Sequence, residues 1–259
     1  MKKLVLLVAV VLCVGAVVLS AQEQPRVVHA FVALADNQNQ GIVPVPARLG
    51  NGEDAARNLY WGAAGGVKTY FRRSTEWTLL QSGHKPKSEV LERCVFKHKT
   101  KNVYLVADAY RGIEIRQAIL DFLASAAGDG TESISVQPGG ITLNARGASN
   151  LVVYIGHDGL MDFQLPLLPR KKNEIRREAI VLACASKSYF SNAMHASGAY
   201  PLLWTTNLMA PEAYTLKSAL DGWVNSESNE QIHNRAAAAY DRYQRCGIRA
   251  AQKLITTGW

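Results

Sequence analysis

A histidine and a cysteine each follow a short apolar run, and they are the residues of this chain whose types and positions best suit covalent chemistry. His157 follows residues 151–156, and Cys184 follows residues 179–183. Unbroken apolar runs of this length are typical of buried parallel strands. Ligand sites of open α/β sheets lie beyond the carboxyl ends of such strands. A thiol and an imidazole brought together there are the minimum for nucleophilic catalysis.

Small residues beside the two candidates predict how a negatively charged intermediate would be held. Gly156 and Gly159 flank His157, so the backbone can turn tightly there and present an N–H group. If a helix begins soon after Cys184, the N–H of Cys184 points the same way and the helix N-terminus lowers the thiol pKa. We therefore expect the N–H groups of Gly159 and Cys184 to form an oxyanion hole.

Strands alternate with helices along the chain, which predicts an α/β fold with a mostly parallel central sheet covered by helices on both faces. The predicted strands cover residues 27–35, 77–81, 89–97, 103–107, 133–137, 141–144, 151–156, 179–183 and 200–205. The predicted helices cover residues 51–73, 112–126, 188–196, 211–224 and 229–255, the last with a break expected at Gly247.

The first 21 residues have the pattern of a secretory signal peptide. Lys2 and Lys3 precede an apolar stretch at 4–19, and small residues at 19–21 provide a cleavage site. Polar sequence follows at once, so we expect no membrane association after cleavage. The sequence thus predicts a secreted or periplasmic protein with a single mature α/β domain over residues 22–259.

The charge of the mature chain argues against nucleic-acid binding. Without Lys2 and Lys3 there are 27 basic and 21 acidic residues, a net charge of +6. The densest basic runs, at 97–101 and 170–177, have no interleaved aromatic residues on which bases could stack. Solvated loop charge is the favoured interpretation of both runs.

Three cysteines remain after cleavage, an odd number for an exported protein. A disulfide between Cys94 and Cys246 would leave Cys184 free, and a fully reduced set is equally open. Their separations match no zinc motif, and the sequence predicts neither a metal site nor a cofactor.

The two motifs resemble those of the caspase–hemoglobinase fold peptidases, which include caspases, metacaspases, legumains, gingipains and clostripain. Residues 155–159 read Ile-Gly-His-Asp-Gly, and residues 182–186 read Leu-Ala-Cys-Ala-Ser. In that family a His–Cys dyad stands at the ends of adjacent parallel strands, with backbone amides beside both residues forming the oxyanion hole. The resemblance implies that His157 and Cys184 are catalytic, that the substrate is a peptide or protein, and that the fold is caspase-like.

Two features of this chain depart from the family pattern. Asp158 separates His157 from Gly159, where His-Gly is usual. Residues 162–178 show no helical pattern, although a crossover between parallel neighbours is normally helical. Either this loop is compact and irregular, or the two strands do not pair as the resemblance implies.

Polar residues at three other predicted strand ends are candidates for substrate binding: Asp36, Asp108 and Asn207. Several bacterial members of the family select a basic side chain with an acidic pocket, and an Asp in a partly dry pocket pairs well with Arg or Lys. The alternative for Asp108 is a cap on the helix predicted from residue 112.

Other assignments stay open from the sequence. His195, on the helix predicted after Cys184, is an alternative partner for the thiol. The leading function is an exported cysteine peptidase-like hydrolase. The alternative is a non-catalytic domain of the same fold that uses the loop at 36–52 to bind a protein or polymer at the cell envelope.

Overall fold

A large, mostly parallel sheet organises the fold. The structure is a computed structural model that describes residues 24–137 and 140–259. The signal peptide predicted for 1–21 and two residues of the predicted turn, Pro138 and Gly139, lie outside the described residues. The strands are β1 (Arg26–Ala33), β2 (Trp77–His84), β3 (Val90–His98), β4 (Val103–Tyr110), β5 (Thr131–Val136), β6 (Ile141–Arg146), β7 (Leu151–Ile155), β8 (Glu178–Leu182), β9 (Tyr200–Thr205) and β10 (Ile255–Thr256). The helices are α1 (Val67–Arg72), α2 (Ile115–Ala126), α3 (Ser186–Ser197), α4 (Ala213–Val224), α5 (Asn229–Gln244) and α6 (Ile248–Leu254).

Strand pairing confirms the predicted α/β class and the mostly parallel sheet. The eight-stranded sheet has the order β10-β9-β8-β7-β1-β4-β3-β2. Five neighbouring strands of this sheet are parallel to one another: β4, β1, β7, β8 and β9. The other three strands, β2, β3 and β10, pair with their neighbours in the antiparallel direction. A separate antiparallel hairpin joins β5 and β6. The parallel strands place several carboxyl ends, including those of β7 and β8, along one edge.

Buried residues of the central strand alternate between two clusters, as expected where both sides of a sheet are covered by apolar groups. Val28, Ala30 and Val32 belong to a cluster that also contains residues of α1, α4 and α5. Phe31 and Ala33 belong to a second cluster with residues of α2 and α3. These packed layers fix the strands whose ends carry the candidate residues.

The connection between β7 and β8 resolves the alternative left open by the sequence. The two strands pair in parallel, with Ile155 opposite Leu182. The residues between them include a single 3-10 turn at Gly159–Met161 and otherwise follow an irregular path. Backbone bonds from Lys171 to Ala196 and from Lys172 to Ala127 attach this loop to the ends of α3 and α2. The loop is therefore compact and irregular, and the strands are neighbours.

The helix predicted for residues 51–73 is wrong over most of its length. Residues before α1 form successive turns, and only Val67–Arg72 are helical. Gly62 and Gly66 permit this path, because a Cβ at either position would lie within 2.4 Å of the backbone of Ala56 or Trp61. The predicted break in the C-terminal helix is confirmed, since α5 ends before Gly247 and α6 begins after it. Among the described residues, no helix is both long and apolar enough to cross a bilayer.

Candidate active site

His157 and Cys184 line one cavity at the carboxyl ends of β7 and β8. The cavity has a volume of about 350 Å³. Most of its wall is apolar, and part of it comes from Ile42, Val43 and Val45 of the long loop after β1. The structure thus brings both predicted catalytic residues, and part of the loop predicted to bind a partner, to the same space.

A tight turn after β8 presents the thiol. Ala185, next to Cys184, has a left-handed backbone (φ 46°, ψ 31°) that is uncommon outside glycine, and α3 begins at the following residue. Ser186 anchors the turn, because its hydroxyl donates to the carbonyl of Val181 at 2.9 Å and accepts from the N–H of Thr205 at 3.0 Å. These bonds hold Cys184 at the strand tip rather than in the core.

The Cys184 sulfur is partly buried and touches the backbone of Met209. The N–H of Met209 lies 3.4 Å from Sγ, and the Met209 carbonyl lies 3.6 Å away. Burial raises the pKa of the thiol, the Met209 N–H opposes that shift, and the nearby Asp158 carboxyl adds to it. The sequence predicted a lowered pKa from the helix N-terminus, whereas the direction is the reverse because burial is the largest contribution. The resting thiol therefore needs a base to become a thiolate.

A carboxylate orients the imidazole of His157. Nε2 of His157 lies 2.7 Å from Oδ2 of Asp162, and the same oxygen accepts from the N–H of Gly41 at 3.1 Å. With Nε2 engaged, Nδ1 has no hydrogen-bond partner among residues 24–137 and 140–259. An acceptor bound at one ring nitrogen fixes the orientation of the imidazole and leaves the other nitrogen available to a reacting group. Asp162 was not predicted from the sequence.

Backbone donors near the two residues differ from those predicted. The N–H of Gly159 donates to the carbonyl of His157 at 3.0 Å, inside the 3-10 turn, so it does not face the cavity. A Cβ at Gly159 would contact the ring of Phe163, on the side of the second buried cluster. In the part of the chain that the structure describes, the N–H groups of Cys184 and Asp158 have no acceptor. Cys184 lines the cavity, whereas Asp158 is fully buried and does not, so of these two only the N–H of Cys184 is placed to meet a ligand.

Asp158 is a buried carboxyl with one unsatisfied oxygen. Oδ1 accepts from the N–H of Leu160 at 3.1 Å, whereas Oδ2 is buried and has no partner within the described residues. Burial, reinforced by the negative charge of Asp162, raises the pKa of Asp158 to about 7. The folded protein therefore holds this carboxyl about half protonated near pH 7 and largely protonated below pH 6.

Asp158 should make the free energy of unfolding fall as pH rises from about 4 to about 7. The unfolded carboxyl ionises near its ordinary pKa of 3.8, while the folded one keeps its proton until about 7. The stabilising proton uptake is thus complete below pH 4 and lost as pH passes 7. Asp158→Asn removes this slope, so the variant gains about 4 kcal/mol relative to wild type between pH 4 and pH 8.

Urea unfolding at several pH values measures this effect. Asp129→Asn is the matched control, because the Asp129 side chain is 54% exposed. A stability difference between wild type and Asp158→Asn that stays constant from pH 4 to pH 8 would contradict the buried, protonated state.

The three residues predicted to bind substrate serve the fold instead. Asp108 is fully buried, where Arg93 and His29 hold it, so the prediction that it contacts substrate is wrong. Asp36 is 5% exposed and accepts from the N–H groups of Gln38 and Asn39, which closes the start of the long loop.

Asn207, the third of these residues, is exposed and supports the turn that carries the thiol. Its side chain accepts from the N–H of Leu208, and its carbonyl accepts from the N–H of Ala185 at 2.9 Å. Neither Asn207 nor Asp36 lines the cavity, whereas Leu208 does.

Glu212 and Tyr60 are cavity residues that the sequence did not identify. Glu212 is half-buried at the start of α4, and burial raises the pKa of its carboxyl. It has no ion-pair partner among the described residues. Tyr60 is 6% exposed, and burial, with the nearby Cys184 and Glu212, raises the pKa of its hydroxyl. A proline-acid pair before a helix, Pro211-Glu212, was the signal available for Glu212.

The remaining histidine and cysteine alternatives are settled by position. His195 is exposed and stacks on Trp259 with ring centroids 3.7 Å apart, so it does not partner the thiol. Cys94 is buried in β3 and Cys246 is exposed, and both are free, so the proposed disulfide between them is absent from the structure.

The nature of the site rests on its geometry. Within the described residues, no group of three or more His, Cys, Asp or Glu side chains is placed to hold a metal ion. Comparison of the chain with protein-family models, curated proteins and solved structures returned no match.

Proposed function

We propose that the protein is a cysteine peptidase-like hydrolase in which Cys184 is the nucleophile and His157 is the general base and acid. The observation that carries this proposal is that a strand-end thiol and a carboxylate-held imidazole line the same cavity. Their strands are adjacent and parallel, as the resemblance to caspase–hemoglobinase peptidases implies. The two buried clusters support the finer proposal of a caspase-like sheet with helices on both faces.

The raised pKa of the thiol assigns the first step to His157. Nδ1 of His157 takes the proton from Cys184 as Sγ attacks the peptide carbonyl carbon. The electron pair of the carbonyl bond moves onto oxygen, where the N–H group of Cys184 stabilises it. When the C–N bond breaks, His157 returns the proton to the leaving amine, and a thioester remains.

Hydrolysis of the thioester completes the cycle. His157 removes a proton from water, whose oxygen attacks the thioester carbon. The C–S bond breaks, the carboxylic acid leaves, and Cys184 recovers its proton from His157. The Asp162 side chain, bound to Nε2, stabilises the imidazolium formed in each half-reaction.

Glu212 supports a preference for basic side chains. Its carboxylate lines the cavity beside the thiol and is half-buried, without a cation among the described residues. A substrate Arg or Lys would supply that cation and satisfy the carboxylate through charge-assisted hydrogen bonds. Glu212 thus takes the role that the sequence assigned to Asp36 and Asp108. Export to a secreted or periplasmic location remains part of the proposal, with the peptide or protein substrate expected there.

Short reporter amides ending in Arg, Lys, Ala or Asp test this function on the wild-type chain. We expect hydrolysis of the Arg and Lys reporters at least about tenfold faster than that of the others. Glu212→Gln should lower kcat/KM for Arg by about 10- to 100-fold and leave the Ala reporter within about twofold. Gly65→Ala should do the same, because its Cβ would lie 2.2 Å from Oε1 of Glu212 and displace the carboxylate.

One control variant and one contrary result complete the reporter assay. Glu230→Gln, an exposed acid in the first turn of α5, should change neither rate. Failure of the wild-type protein with free thiols to hydrolyse any of the four reporters would contradict the peptidase proposal.

A non-catalytic binding domain is the second candidate, favoured by one observation. Burial raises the pKa of Cys184, which slows reaction of the thiol unless His157 assists. Such a domain would alkylate slowly at Cys184 near neutral pH. The hydrolase should alkylate faster there than at Cys94, which is fully buried.

A further inference from the structure

A groove lined by three tyrosines adjoins the cavity at Glu212. The groove has a volume of about 720 Å³, and Tyr70, Tyr214 and Tyr243 form its aromatic wall. Glu212 lines both the groove and the cavity that holds Cys184. Gly65 lies beside Glu212, and both residues also line a smaller hollow of about 430 Å³. The groove, the hollow and the cavity thus adjoin one another at Glu212.

The tyrosines are held in place before any ligand binds. Tyr243 stacks on Tyr214 with ring centroids 4.2 Å apart and an interplanar angle of 7°. The hydroxyl groups of Tyr70 and Tyr243 are 3.1 Å apart, and Gln244 donates to the Tyr214 hydroxyl at 2.7 Å. Yet Tyr243 is 50% exposed. A fixed, exposed aromatic ring binds a partner at low cost in conformational entropy.

The charged residues Lys217 and Glu212 of the groove differ in whether an opposite charge of the protein pairs with them. Lys217 lies 2.7 Å from Glu76 and 2.9 Å from Asp221, so its charge is balanced within the protein. Glu212, which also lines the cavity that holds Cys184, has a long 3.5 Å contact with Gln244 and the Tyr214 hydroxyl beside it, and no cation pairs with it among the described residues. The groove therefore offers an acid next to the cavity and an aromatic wall beyond it.

We propose that this groove binds the same polypeptide as the catalytic cavity, with an aromatic side chain of the substrate packed on Tyr243. This inference rests on the proposed function. An extended chain advances about 3.3–3.6 Å per residue, so a chain that fills the cavity and the adjoining groove contacts the protein through several residues beside the scissile bond. A basic residue paired with Glu212 and an aromatic residue on Tyr243 would then be read together, which favours extended chains over short peptides.

Equilibrium binding to Cys184→Ala tests the groove separately from the chemistry. The probes are peptides of about ten residues in a Gly-Ser background, with one fixed Arg and one Tyr moved through the other positions. We expect one or two Tyr positions to tighten Kd by about tenfold, as an aromatic pair with its buried area allows. Adding Tyr243→Ala should abolish that gain, whereas Tyr243→Phe should keep it because the ring stack remains.

The control is Tyr189→Ala, a 43% exposed tyrosine on α3, which should leave the gain intact. Equal Kd values for all Tyr positions, or a gain that survives Tyr243→Ala, would overturn the groove proposal. Tyr243-dependent binding of a β-linked glucose hexamer without peptide binding would overturn it as well. Loss of hydrolysis in the wild-type reporter assay with the binding pattern retained would refute the peptidase and leave the groove.

Discussion

Cys184→Ala should abolish peptide hydrolysis, and His157→Ala should lower kcat/KM by about 10²- to 10⁴-fold. The first variant removes the atom that forms the thioester. The second removes the base that a thiol of raised pKa requires, and general acid–base catalysis is worth about that factor. Both variants should fold as wild type, because each side chain lies in the cavity wall and not in either buried cluster.

Asp162→Asn separates orientation of the imidazole from its chemistry. The amide can still meet Nε2 of His157, but it holds the ring less firmly and does not stabilise the imidazolium. We expect kcat to fall by about tenfold or more with KM nearly unchanged. The measurement is steady-state kinetics on the Arg reporter, with alkylation of Cys184 followed against pH.

Asp129→Asn is the control for a change of surface charge, since the Asp129 side chain is 54% exposed. Activity retained in His157→Ala at the wild-type level would exclude His157 as the base. Activity retained in Cys184→Ala would exclude the thiol mechanism altogether.

The strand ends of this site could be predicted from sequence because they depend on local pattern. Unbroken apolar runs marked β7 and β8, and the small residues after them marked where each strand stops. The observed bounds of β9 are those predicted, residues 200–205. His157 and Cys184 follow these two strands directly, so the sequence placed both residues at the correct edge of the sheet.

The rest of the site depends on how separate segments meet. Asp162 reaches Nε2 of His157 only because the 3-10 turn at Gly159–Met161 brings the chain back, and Gly41 of a distant loop holds it. Glu212 enters the cavity because the N–H of Ala213 donates to the carbonyl of Gly65 at 2.8 Å. Such contacts between residues far apart in sequence leave no periodic signal.

The helix predicted for residues 51–73 was wrong for the same reason, because contacts with a distant segment determine the structure there. The capping residue, the early acids and the apolar spacing each favour a helix locally. The side chain of Asn58 instead binds both the N–H and the carbonyl of Ala35, at 3.0 and 2.8 Å, and ties the segment to the end of the first strand. Tertiary hydrogen bonds of this kind outweigh helix propensity, which is a few tenths of a kcal/mol per residue.

Asp108→Ala should destabilise the protein by about 3–5 kcal/mol, although the sequence suggested a role in substrate binding. Arg93 donates to both carboxylate oxygens, at 2.6 and 2.7 Å, and His29 contacts Oδ2 at 3.0 Å. All three side chains are at most 2% exposed. Removing the acid leaves a buried guanidinium whose remaining carboxylate partner is Glu132. The loss of one member of a buried ion pair typically costs this much.

Two matched acids isolate the burial of the charge as the cause. Asp36→Ala, at another strand end, removes hydrogen bonds of a capping type and should cost about 1 kcal/mol. Glu132→Ala should also cost less than Asp108→Ala, because the Glu132 side chain is 29% exposed.

The ion pairs hold the pKa of Asp108 far below its usual range. Its contribution to the free energy of unfolding is therefore present above pH 3.8 and is lost only as pH falls through that depressed pKa. Urea unfolding at pH 7 gives the three costs, and a similar loss in all three variants would show that Asp108 is not the centre of the network. Unchanged selectivity among the reporter amides in Asp108→Ala, measured below its unfolding temperature, would agree with a structural role for this strand-end acid.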